Sequence, residues 1–120
     1  MTTATIHTLV IPNWIPVRLN ELMKNRWRCA ELKRQDTAFV ILYSRIQGIP
    51  RATGKRRVTL EITFGKHAKA GDPDAYNKSL LDALVNAGLL VNDTYNSVEV
   101  MPARYFHAKE TSTTIILEDL

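Results

Sequence analysis

One segment of the sequence alternates with a period of two residues, and it constrains the fold more than any other. Apolar and polar residues take turns from position 58 to 64, with Val58, Leu60, Ile62 and Phe64 apolar and Thr59, Glu61 and Thr63 polar. Successive side chains of a strand point to opposite faces of its sheet. The pattern therefore predicts a β-strand with one buried face and one polar face.

A first helix is predicted before this strand. From about Cys29 to Ile46, apolar residues recur at spacings of three and four, at Leu32, Phe39, Leu42, Tyr43 and Ile46. That spacing is typical of an amphipathic helix. Gly48 and Pro50 end it.

A second helix is predicted after the strand, with clear signals at both ends. Asp72 is suited to the N-cap, and Pro73 to the first helical position, where its missing N–H costs nothing. Leu80, Leu81, Leu84 and Ala87 supply an inward face, and Gly88 suits a left-handed residue just beyond the helix.

Three more segments read as strands, namely Thr5–Ile11, Ser97–Met101 and Thr113–Leu117. One possible arrangement pairs the last two of these strands as a hairpin. Arg51–Arg57 reads as a basic connector. We therefore predict a single domain over residues 1–120 of the α+β class, with a mixed sheet packed against two helices in the order β-α-β-α-β-β.

The composition excludes some classes of protein. No apolar run approaches the roughly 20 residues of a membrane span, and no basic segment precedes the apolar stretch near the N-terminus. The single cysteine, Cys29, cannot form an intrachain disulfide and fits a reducing compartment. We expect a cytoplasmic protein with no membrane partner.

Charge is distributed unevenly along the chain. Residues 1–70 carry thirteen Lys or Arg against four acids, whereas residues 71–120 carry three against eight. A basic half that could bind a polyanion is thus joined to an acidic half that could hold a divalent cation. Solvated charges without a specific partner would give the same pattern.

Candidate catalytic residues gather at the start of the second helix. Asp72, Asp74 and Lys78 lie within seven residues, and Asp93 would join them if the strand after it pairs in the same sheet. Carboxylates without a nearby Cys or His suit a hard ion, Mg²⁺ or Mn²⁺, which activates water and polarises a phosphodiester. The spacing alone equally fits acidic residues that complement the helix dipole.

A family resemblance favours the metal site. The run Gly71-Asp72-Pro73-Asp74-Ala75-Tyr76-Asn77-Lys78, followed by Asp82-Ala83-Leu84, Ala87-Gly88 and Asn92-Asp93, resembles the signature of the RusA family of crossover-junction endodeoxyribonucleases. The spacing agrees without a gap from Asp72 to Asp93, and the length and order of elements are similar.

The resemblance implies a magnesium-dependent homodimer that cuts four-way or branched DNA symmetrically in recombination and repair, with Mn²⁺ as a substitute ion. It implies that Asp72, Asp74 and Asp93 are the metal ligands and that Lys78 is the fourth essential residue. The sequence departs from the family pattern at Ala75, where an Asn is usual, and at Gly71, where a basic residue is common.

The DNA backbone is expected to contact basic residues outside this motif, because phosphate contacts give affinity without reading sequence. The candidates are Lys55, Arg56, Arg57, Lys66, Lys69, Arg26 and Arg28, with Lys24, Lys33, Arg34 and Arg51 in the same basic set. Trp14 and Trp27 are expected to anchor the core or a dimer interface. The alternative role is stacking on the bases of an open junction.

Two other functions stay open. A non-catalytic protein that binds DNA junctions or single strands on the same fold is favoured by Ala75. An unrelated metal-dependent RNase or a phage accessory protein would share the charge pattern and the fold class.

Overall fold

In the part of the chain that the structure describes, five strands form one mixed β-sheet and two helices pack against it. The computed structural model describes residues 5–15, 26–66, 77–92, 94 and 96–120, without the side chains of residues 26–30, 32 and 77–79. The elements are β1 (Ile6–Pro12), α1 (Arg26–Ile46), β2 (Arg56–Phe64), α2 (Asn77–Asn86), β3 (Val98–Val100), β4 (Arg104–His107) and β5 (Ser112–Asp119). The predicted α+β class is confirmed.

β2 organises the sheet. It pairs antiparallel with β5 along nearly its whole length, from Arg56 opposite Asp119 to Thr63 opposite Ser112. Its other edge pairs in parallel with β3 and then with β4. β1 pairs antiparallel with the far side of β5, which makes β1 an edge strand.

The alternation predicted for β2 is confirmed, because its even-numbered residues are buried and its odd-numbered residues are partly exposed. The buried face joins a single hydrophobic cluster that includes Val40 of α1 and Leu80 and Leu84 of α2. Each such side chain contributes about 1.5–3 kcal/mol when it is fully removed from water. The sheet and both helices therefore share one core.

The last third of the chain differs from its prediction. β4 is an additional strand of four residues between the two that were predicted, and three of its four residues are exposed. It therefore lacks the apolar alternation that marks a strand in a sequence. The hairpin considered for β3 and β5 is wrong, because these strands pair with opposite edges of β2.

The helix ends follow the predicted glycine signals. α1 ends at Ile46 as predicted and begins at Arg26, three residues earlier than expected. Gly48 and Gly88 have φ values of 69° and 79°, in the left-handed region that glycine adopts without strain. The predicted cap at Asp72 and Pro73 lies outside the described residues.

Trp14 is a core residue, as the sequence favoured. Its ring is buried, and its Nε1 donates to Oδ1 of the buried Asp36 of α1 at 3.0 Å. The Trp14 ring also lies 6.4 Å from that of Phe39, measured between centroids. Stacking of Trp14 on DNA bases is therefore excluded in this fold, and the side chain of Trp27 lies outside the described part.

No helix in the described ranges is long and apolar enough to cross a bilayer.

Candidate catalytic motif and nucleic-acid interface

The predicted carboxylates fall in segments on which the structure gives no description. Asp72, Asp74 and Asp93 lie outside the described residues, as does Gly71. Lys78 is described by its main chain alone, which lies in the first turn of α2. Their proximity to one another and their fit to a metal ion thus remain sequence predictions.

The topology around the motif is described, and it meets one condition set by the sequence. The strand that follows Asp93, β3, does pair in the same sheet, in parallel with β2. The described helix runs from Asn77 to Asn86, so its ends are about 15 Å apart at 1.5 Å per residue. The two parts of the motif thus lie on opposite sides of α2 in the chain, Asp72 and Asp74 before it and Asp93 after it.

Arg56 holds the main chain on both sides of Asp93. Its Nη1 donates to the carbonyl oxygen of Leu89 at 2.9 Å, and its main-chain N–H donates to the carbonyl oxygen of Ser97 at 3.1 Å. Leu89 follows α2 and Ser97 precedes β3. The first residue of β2 therefore fixes both ends of the segment that carries a candidate catalytic carboxylate.

The prediction that Arg56 contacts DNA phosphates is wrong in this fold. Its residue surface is 1% exposed, and its Nε donates to Asp119 Oδ1 at 2.7 Å. His7 Nε2 lies 3.0 Å from the other oxygen of that carboxylate. Hydrogen bonding from Arg56 outweighs the opposing effect of burial and, with His7, lowers the pKa of Asp119 from its usual value of 3.8.

Arg57 lies on the opposite face of β2 and already has two acidic partners. Its Nη2 is 3.2 Å from Glu99 Oε2, and its Nη1 is 3.0 Å from Glu118 Oε2. These partners, foremost Glu99 through its hydrogen bond, raise the pKa of the guanidinium above its ordinary value. Two carboxylates beside one cation make this a poor site for a phosphate, so Arg57 is a weak candidate for DNA contact.

The remaining residues predicted to contact DNA differ in exposure and in how much of each the structure describes. Lys66 is exposed directly after β2, whereas Lys55 is half-buried and engaged with a neighbouring group. Lys69 lies outside the described residues. Arg26 and Arg28 are in the first turn of α1, where only the main chain is described.

A basic concave surface lies beside α1, and two of its arginines, Arg34 and Arg51, belong to the basic set named from the sequence. We call it the α1 trough, and it consists of Arg34, Ala38, Ile41 and Arg45 of α1 with Arg51 of the connector and Asn86 of α2. Three adjoining hollows form it, of about 260, 290 and 580 Å³, and neighbouring hollows share residues.

Arg45 is not among the predicted DNA contacts, although the sequence carries a signal for it. Positions 34, 38, 41 and 45 follow the three- and four-residue spacing of one helix face. Arginine at both ends of such a stripe, with an alanine between them, indicates a basic groove along the helix. The prediction for this helix rested on its apolar positions, which lie at other places along the helix.

Comparison with known proteins adds no relative. No protein-family model matches the chain, and no curated protein matches its sequence.

Proposed function

We propose that this protein is a metal-dependent endodeoxyribonuclease that cuts four-way or branched DNA. The observation that carries the proposal is the motif of Asp72, Asp74, Lys78 and Asp93, whose spacing agrees without a gap with that of the RusA family. The α+β order, with α2 directly after the first part of the motif and β3 after the second, is compatible with it.

The proposed chemistry is hydrolysis of a phosphodiester. Asp72, Asp74 and Asp93 would hold Mg²⁺ or Mn²⁺ through carboxylate oxygens, an ion that, when bound, polarises the phosphate and lowers the pKa of a coordinated water. Lys78 would place an ammonium beside the charge that develops on the phosphate. We further propose a cytoplasmic homodimer acting in DNA recombination or repair, since a two-fold axis relates two sites to two opposed strands.

The second candidate is a DNA-junction or single-strand binding protein without nuclease activity. Ala75 is the residue that favours it, because the family pattern has an Asn at that position and a methyl group cannot orient a phosphate or a water. The charge of the chain supports both candidates equally.

A cleavage assay separates the two. Purified protein is incubated with a labelled synthetic four-way junction and with a duplex of the same sequence, in Mg²⁺, in Mn²⁺ and in EDTA. The proposal expects paired nicks in the junction that require the metal. Tight junction binding without cleavage in either metal would leave the binding protein as the better account.

Asp74→Asn tests the site itself. The change removes a candidate ligand while keeping its shape, and we expect cleavage to be lost while junction binding is retained or tightened. Glu110→Gln is the matched control, because Glu110 is an exposed acidic residue before β5, outside the motif. Normal cleavage by Asp74→Asn would assign that residue to the helix dipole instead.

A further inference from the structure

The α1 trough has a distinct shape along the helix. Its α1 residues run from Arg34 to Arg45, so about 16 Å of helix separates the two guanidinium-bearing positions. Ala38 and Ile41 between them line the hollows with apolar side chains. The result is a shallow channel with a cation near each end.

The charges of the trough are unbalanced. Arg34, Arg45 and Arg51 are exposed, and among the described residues none of the three lies within ion-pair distance of a carboxylate. The cation of Lys33 at the rim is paired with Asp82. Glu31 lines the outermost hollow and offsets one of the three arginines, so the trough keeps a net positive charge.

The most enclosed of the three hollows places two of these arginines together. Arg45 and Arg51 both line the hollow of about 260 Å³, together with Asn86 and with apolar residues that include Ile41 and Leu89. This group offers guanidinium and amide donors in one concavity. A tetrahedral oxyanion accepts such converging donors well, and guanidinium pairs with phosphate in a bidentate manner.

Gly88 leaves room for Arg51 in this position. A Cβ atom at Gly88 would lie 2.7 Å from Arg51 Nε and 2.9 Å from its Nη2. The connector is also anchored there, because the main-chain N–H of Ala52 donates to the carbonyl oxygen of Gly88 at 3.0 Å. The guanidinium of Arg51 therefore lies directly against the main chain beyond α2.

Part of this arrangement has a local cause. Arg45 is in the last turn of α1, and Arg51 lies beside the end of α2, where cations complement the partial negative charge of a helix C-terminus. That effect does not account for Arg34, eleven residues before Arg45 and away from either helix end. The interaction with helix ends also does not explain why the surface between the cations is concave.

We propose that the α1 trough binds the phosphodiester backbone of a nucleic-acid strand, with Arg45, Arg51 and Asn86 around one phosphate and Arg34 at another. The identification of that strand as branched DNA rests on the proposed function. The contacts carry no base recognition, since they engage phosphate alone. They replace the contacts first assigned to Arg56 and Arg57.

The test measures binding of a fluorescent four-way junction by anisotropy in EDTA, at several salt concentrations. The double variant Arg45→Gln/Arg51→Gln is expected to weaken binding about tenfold or more near 0.1 M salt and to reduce the slope of log K against log salt by about 2. Arg104→Gln is the control, because Arg104 is exposed on β4 outside the trough. It is expected to change the slope by less than about 1.

A second variant avoids removing any arginine from a helix end. Ala38→Glu places a carboxylate in the middle of the channel at an exposed helical position, where Glu is a good helix former. It is expected to weaken binding by a similar factor at an unchanged melting temperature. Thr8→Glu, at an exposed position of β1, is the control for added negative charge.

The outcomes separate this proposal from the nuclease proposal. If the wild type cuts the junction but both trough variants bind with unaltered affinity and salt slope, the trough proposal is overturned and the nuclease stands. If the wild type binds the junction without ever cutting it, and both variants lose that binding, the trough proposal stands without the nuclease proposal. A lower melting temperature of the double variant at unaltered affinity would assign Arg45 and Arg51 to the helix ends alone.

Discussion

Arg56 and Asp119 form an ion pair between the first residue of β2 and the last residue of β5, with Nε 2.7 Å from Oδ1. The arginine side chain is 2% exposed and the aspartate side chain 43% exposed. A buried cation is thus neutralised by a carboxylate that still contacts water. Because the same guanidinium donates to Leu89, this pair connects the sheet to the segment that leaves α2.

Replacing Arg56 with Met is expected to lower the free energy of unfolding by about 2–4 kcal/mol, because two hydrogen bonds are lost and the carbonyl of Leu89 is left without its donor. Urea denaturation followed by circular dichroism measures the change. Arg57→Met is the control on the opposite face of β2, and its loss should be clearly smaller. Equal effects of the two substitutions would contradict a special role for the buried side chain.

The pair also predicts how stability depends on pH. The pKa of Asp119 is lower in the folded protein than the ordinary 3.8, chiefly through Arg56. Its contribution is therefore present at pH values above about 4 and is lost as the pH falls through the folded-state pKa. We expect the stability difference between wild type and Asp119→Asn to be constant from about pH 7 to 5 and to shrink below about pH 4.

Denaturant titrations at each pH, made in a His7→Gln background, keep the histidine that contacts the same carboxylate out of the comparison. A stability difference that grows as the pH falls would contradict the assigned direction of the pKa shift.

Gln47 covers the free edge of β1. Its Oε1 accepts from the main-chain N–H of Val10 at 2.9 Å, and its Nε2 donates to the carbonyl oxygen of the same residue at 2.6 Å. Exposed strand edges promote pairing with other chains. We expect Gln47→Ala to cost about 0.5–1.5 kcal/mol of stability and to increase self-association, measured by denaturation and by light scattering.

Gln47→Glu is the informative partner variant, because it keeps the acceptor for Val10 N–H and loses the donor to the carbonyl. An intermediate stability is expected. If Gln47→Ala stays monodisperse to the same concentration as the wild type, the edge of β1 is protected by something other than this side chain.

The sequence determined the elements whose patterns are local. The alternation in β2 and the glycine after each helix predicted the strand, the C-terminal end of each helix and the α+β class. Strand and helix periods and left-handed glycine are properties of a few consecutive residues. β4 was missed for the same reason: its pairing with β2, rather than any apolar alternation, makes it a strand.

The candidate site divides along the same line. The motif of Asp72, Asp74, Lys78 and Asp93 is visible in the sequence because its spacing is local, apart from Asp93. The environment of each basic residue is not visible in the sequence, because a lysine or arginine gives the same local pattern whether it is buried, paired or exposed. Only the fold buried Arg56 against Asp119, paired Arg57 with Glu99 and Glu118, and left Arg45 and Arg51 together in a hollow.

Local pattern thus determined which segments form helices and strands in this protein and where its candidate carboxylates lie in the chain. Tertiary structure decided which cations are buried or paired with carboxylates and which are exposed. The physical reason is that charge pairing depends on contacts between residues far apart in sequence, such as Arg56 and Asp119 with a separation of 63, which no local pattern encodes.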